Sequence, residues 1–254
     1  MTSYSIKVKS RHFGRAFTLV ELLVVIAIIA ALASLGFVAA RGVYQKSKAT
    51  KTTSNLRQIH IAITTIQEDG VENGWNRRGT FPPYAGQIID DYGWREFTIY
   101  ELIGEQIEVC EPKAGGYTWK NHPKDTILQN PLSKHIFAGD TPNSSNIQKS
   151  SFGLGGYCYN AHLEGWVAPQ SSESTVKRTR HSDLADSSRT ILMAEMNDNG
   201  GKIWTGWGGP AAPHGNYRDG AHCLFVDGHV EHLKNEFLAS QEGWQTHMRI
   251  TSKY

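Results

Sequence analysis

The chain is 254 residues long, 20% charged and 39% hydrophobic, the composition of ordinary globular protein rather than of a disordered tail. Its formal net charge of +2 is too small to argue for nucleic acid or another strongly acidic partner. Cys110, Cys158 and Cys223 are widely spaced, with no CxxC. That excludes a zinc knuckle or thioredoxin-type site and leaves either one disulfide with a spare thiol or three separately buried thiols.

Residues 1–16 carry Lys7, Lys9, Arg11 and Arg15 and no acid. From Leu19 to Ala40 the chain is apolar but for Glu21, Ser34 and Gly36, about 22 residues against the roughly 20 that a bilayer-spanning helix needs. Few soluble helices are apolar on every face for that length. A secretory signal peptide cut after Ala31-Leu32-Ala33 is a stronger competitor. It is opposed by the carboxylate of Glu21 near the start of the run and by helical character that continues past Ala33. Basic residues flank the run on both sides, since Arg41, Lys46, Lys48, Lys51 and Arg57 precede the next acid, Glu68, so charge alone gives little orientation.

The stretch "GRAFTLVELLVVIAIIA" resembles the leader and N-terminal helix of type IV pilins and type II secretion pseudopilins, over about residues 11 to 41. The resemblance implies cleavage between Ala16 and Phe17 by a prepilin peptidase, methylation of the new amino terminus, and an inner-membrane assembly platform and other pilin-like subunits as partners. Ala16 stands where that family usually has Gly. An acid inside a bilayer costs about 2.5 to 3.5 kcal/mol on insertion scales and is functional by default. Phe17 and Glu21 are four apart, on one helix face, and in the family the carboxylate pairs with the freed amine, commonly of a neighbouring subunit. Phe17 and Glu21 are therefore the expected assembly residues.

Beyond Arg41, Leu56, Ile59, Ile63 and Ile66 recur at spacings of three and four, one apolar stripe on an amphipathic helix that stops by Gly70. From near Phe17 to near Gln67 the helix would be about 75 Å long. The expected organisation is a leader over 1–16, a transmembrane helix over 17–40, an amphipathic stem over 41–69 and an extracytoplasmic globular head over 70–254. The head's roughly 185 residues suffice for one core. All seven Trp lie in it, among Gly- and Pro-punctuated loops. Strands are expected in "QIEVC" from 106, "SRTILMAEM" from 188 and "AHCLFV" from 221. The fold class is α+β: a long N-terminal helix packed on a small antiparallel sheet with long loops.

In "AHCLFVDGHVEHL", Asp227-Gly228 predicts a two-residue type I′ hairpin turn. That register sets Val226 opposite His229, Phe225 opposite Val230 and Cys223 opposite His232, with Cys223, Phe225 and Val230 on the core face. The stretch, with "CEP" at 110, "SFGLGGYCYN" at 151 and "SSRTILMAEMNDNGG" at 187, resembles pilin-like proteins whose C-terminal signature is His, nine residues, Asp-Gly. Here Tyr217 stands ten before Asp227, so the histidine's role does not carry over.

The sequence carries few signs of chemistry. His229 and His232 would point to opposite strand faces, and His222 would lie on the order of 13 Å from His229, so no zinc site is expected. "EMNDNGG" offers Glu195, Asn197, Asp198 and Asn199 as oxygen ligands for a calcium loop, with Gly200 for the turn. The acid due at the twelfth position is missing, so a polar turn after the strand ending near Met196 is the favoured expectation. There is no GxSxG, HExxH or P-loop, and "RHSDLADSS" from 180 picks out no triad. "IWTGWGGP" could stack sugars or fill a loop-rich core. A structural, non-enzymatic fibre subunit is the favoured expectation; the alternative is a membrane-anchored or secreted binding module, for a glycan for example, that uses the same N-terminus for export.

Overall fold

The computed structural model describes residues 18–69, 79–82, 85–120, 126–133, 156–160, 163, 179–196, 215 and 217–240, with backbone alone over 35–39, 85–90 and 94–97. Two compact units divide the chain, Met1–Tyr44 and Gln45–Tyr254. The helix α1 (Leu19–Asp69) contributes residues to both. In the first unit every described side chain from Thr18 onward is exposed, including Leu19 at 79% and Ile29 at 59%. Among the described residues no helix is long and apolar enough to cross a membrane; the expected span over 17–40 includes Phe17 and the side chains of 35–39, which lie outside them.

The second unit is α+β, its share of α1 packed with small antiparallel sheets. The predicted stripe is the buried face of α1: Leu56, Ile59 and Ile63 are fully buried and Ile66 nearly so. Each such side chain stabilises the fold by about 1.5 to 3 kcal/mol. Two hairpins follow, β1 (Ala85–Asp90) with β2 (Gly93–Thr98) and β3 (Cys110–Lys113) with β4 (Gly116–Trp119). Between them lies α2 (Ile99–Gln106).

The principal sheet has the order β5 (Tyr157–Tyr159), β6 (Ile191–Glu195), β7 (Gly220–Phe225), β8 (Val230–Lys234), all antiparallel. Both faces are covered. On one, Tyr157, Tyr159, Met193 and Leu224 join the stripe of α1 and Ile99, Tyr100 and Ile103 of α2. On the other, Cys158, Ile191, Ala194, Cys223 and Phe225 meet Leu238 of α3 (Asn235–Ala239). Two-sided burial explains why β6 and β7 read as continuous apolar runs rather than alternating ones.

Two expectations are corrected. "QIEVC" is a helix exit, not a strand: α2 ends at Gln106 and only Cys110 begins β3. Glu108 takes a left-handed φ of 59°, while Val109 N–H bonds Gly104 O at 2.9 Å and Glu108 N–H bonds Glu105 O at 3.0 Å. That is the paired-carbonyl helix stop normally built on Gly. The start was legible as Thr98-x-x-Glu101, and Glu101 Oε2 accepts the Thr98 N–H at 2.8 Å.

The second correction is the C-terminal hairpin. Strand partners are Leu224 with Val230, Cys223 with Glu231 and His222 with His232, one residue off the expected register. Asp227 is not left-handed; only Gly228 is, at φ 91°. Phe225 N–H bonds His229 O at 2.9 Å and Gly228 N–H bonds Phe225 O at 3.0 Å, giving a three-residue connection over 226–228 with a left-handed glycine. Asp227 acts through its side chain, Oδ1 accepting the His229 N–H at 3.1 Å. Because side chains alternate, the one-residue shift moves every partner across the sheet. Val230 joins Leu224 on the α1 side, and Cys223 and Phe225 go to the other. A turn with two left-handed residues does occur, at Arg218 (φ 49°) and Asp219 (φ 54°) just before β7.

Candidate functional site

At the amino-terminal end Thr18 and Glu21 cap α1 reciprocally. Glu21 Oε2 accepts the Thr18 N–H at 2.9 Å and its hydroxyl at 2.8 Å, and the Glu21 N–H bonds Thr18 Oγ1 at 3.2 Å. "TLVE" is thus a capping box, a signal the sequence carries and the reading above missed. The arrangement satisfies donors that a helix start leaves unpaired and sets an acid against the positive end of the helix dipole. Ala16 and Phe17 lie outside the described residues.

In the second unit a chain of buried polar groups crosses the core. Thr52 on α1 donates its hydroxyl to Asn130 Oδ1 at 3.0 Å, and Asn55 Nδ2 donates to Gln129 O at 3.3 Å. Asn130 Nδ2 donates to Glu195 Oε1 at 3.0 Å and to Gly156 O at 3.3 Å, while its Oδ1 also accepts the Leu132 N–H at 2.9 Å. Glu195 Oε2 accepts the His222 N–H at 2.7 Å and meets His222 Nδ1 at 3.0 Å. Thr52, Asn55, Asn130, Glu195 and His222 are all buried. Every link carries a partner, as burial of polar groups demands.

His222 also stacks on Tyr217 with ring centroids 5.6 Å apart, and His232 meets Tyr217 edge-on and bonds its carbonyl through Nε2 at 2.8 Å. Tyr217, the residue ten before Asp227, therefore touches two histidines that the expected register kept apart and whose own rings meet at 5.1 Å. Only the corrected pairing brings them together.

Glu195 does not fit the calcium loop that "EMNDNGG" offered, since it closes β6 and both its oxygens are held inside the fold by Asn130 and His222. Asn197, Asp198 and Asn199 lie outside the described residues, as do Trp204 and Trp207. Among the described residues no group of three or more His, Cys, Asp or Glu could hold a metal ion. Asp227 and Gly228 sit in the β7–β8 connection, where Asp227 Oδ1 also meets His229 Nδ1 at 2.6 Å. All three cysteines are buried free thiols. Burial pushes the Cys158 thiol up to about 12, the Glu195 carboxylate adding in the same direction, and burial raises Cys223 likewise.

A family model described as the prokaryotic N-terminal methylation motif matches residues 14–37. The match spans Ala16, Phe17, Thr18 and Glu21 and supports a type IV pilin-like or pseudopilin-type precursor, a substrate for prepilin peptidase. No curated protein and no solved structure gives a significant match. The C-terminal resemblance to the His, nine residues, Asp-Gly group has no support from these comparisons.

Proposed function

We propose that the chain is the precursor of a structural subunit, without catalytic activity, of a type II secretion pseudopilus or type IV pilus-like fibre. Prepilin peptidase cuts between Ala16 and Phe17, and the new amine is methylated. The apolar run over 17–40 holds the subunit in the inner membrane with its globular part outside the cytoplasm, and the assembly platform transfers it to the fibre, where its helix packs against those of other subunits.

One observation carries this reading: the methylation motif over 14–37 falls on the start of α1, where every described side chain from Leu19 to Ser34 is exposed. Sixteen consecutive exposed residues from Leu19 to Ser34, nearly all apolar, need a cover that none of the described residues supplies, and lipid or neighbouring helices would be that cover. Glu21 then becomes the partner of the Phe17 amine, exchanging the Thr18 hydrogen bonds for an ion pair after cleavage. Mass spectrometry of the mature amino terminus tests the reading: N-methyl-Phe17 supports it, and Ser34 would mean signal peptidase and a soluble product.

A further inference from the structure

The buried face of α1 repeats. Ala49, Leu56 and Ile63 are seven apart, as are Thr52, Ile59 and Ile66, and Asn55 and Ala62. A slide of α1 by four residues would set Leu56, Ile59, Ile63 and Ile66 where Thr52, Asn55, Ile59 and Ala62 now lie. Apolar contact is non-directional, so the stripe by itself discriminates weakly between such registers. Thr52 and Asn55 are the polar members of the repeat, and each is hydrogen-bonded to the segment around Asn130. Asn130 is in turn tied to Glu195 of β6, and Glu195 to His222 of β7.

We propose that Thr52 and Asn55 are positioning residues that, through Asn130 and Glu195, fix the axial and rotational register of α1 on the sheet. A slide of four residues, about 6 Å, would take the Thr52 hydroxyl from Asn130 Oδ1 and the Asn55 amide from Gln129 O, leaving buried donors unpaired. A lone polar residue at a core position of a heptad specifies register in coiled coils by the same penalty, at some cost in stability. The consequence is a defined outward face of α1, with Arg57 and Ile61 exposed.

The test is a distance measurement on the full chain in detergent, independent of any fibre. Spin labels at Arg57→Cys on α1 and Glu231→Cys on β8 occupy exposed positions, while the native thiols are buried. The parent should give one narrow distance. Thr52→Val combined with Asn55→Leu should retain helix content and the melting transition but add a population displaced by about 6 Å, and Thr52→Ser, which keeps the hydroxyl, should restore the single distance when combined with wild-type Asn55. A single unchanged distance in the Val/Leu variant overturns the proposal. If that variant does not fold, Thr52→Val alone is read by the same criterion, and failure of both to fold overturns it too, because the polar pair would then be a requirement for folding rather than for register.

Discussion

The ring of His60 on α1 lies against Gly228 in the β7–β8 connection, with Nε2 hydrogen-bonded to Val226 O at 3.0 Å. A Cβ on Gly228 would fall 2.9 Å from His60 Cε1. The glycine is needed twice, for its φ of 91° and for the approach of the imidazole. Gly228→Ala should therefore destabilise by about 1 to 3 kcal/mol, read as a fall in the melting midpoint. In a double variant with His60→Ala the steric part should vanish while the backbone part stays, so the two effects should not add. Strict additivity would show that the ring and the glycine are not coupled.

Glu195 should be among the least replaceable residues of the sheet. Truncation to Ala leaves the buried His222 N–H without its acceptor and the Asn130 amide with Gly156 O alone, so a loss of about 2 to 4 kcal/mol is expected from urea unfolding. Glu195→Gln keeps the shape and part of the hydrogen bonding and should cost less. Equal losses for the two substitutions would show that shape and hydrogen bonding count for nothing here.

At the amino-terminal end, Thr18→Ala removes one half of the capping box and should cost about 1 kcal/mol of local helix stability, visible as faster amide exchange in the first turn of the uncleaved chain. Glu21→Ala removes the other half together with the proposed ion pair. It should abolish incorporation into a fibre, whereas Thr18→Ala should weaken it at most. Unchanged incorporation of the Glu21→Ala subunit would end the assembly role.

The buried thiols make a further test. With the Cys158 thiol pushed up to about 12, about one thiol in a thousand is ionised at pH 9. The folded chain should resist alkylation at Cys158 there and react only once unfolded. The same shift links to stability. The folded state keeps a proton that the unfolded chain releases above about pH 8.5, so stability should fall as pH rises from about 8.5 toward 12, by up to about 1.4 kcal/mol per pH unit for this group. A flat profile over that window, compared with Cys158→Ala, would sever the link.

What the sequence by itself determined is what rests on local chemistry or on periodicity. The stripe Leu56, Ile59, Ile63 and Ile66 marked the buried face of α1, the apolar runs marked β6 and β7, and "RAFTLVE" marked the processing segment. Each is a signal within a few residues of itself. What only the tertiary structure decided is which of several locally equivalent arrangements is adopted. Asp227-Gly228 announced a hairpin, but the docking of its tip on His60 and the capping by the Asp227 side chain chose a three-residue connection over a two-residue one. That single choice brought His222 opposite His232 and placed Val230 on the α1 side. Glu195 looked like the start of a loop because nothing near it in sequence needs a buried carboxylate. Asn130 and His222, its hydrogen-bond partners, are 65 and 27 residues away, and only folding brings such donors to one acceptor.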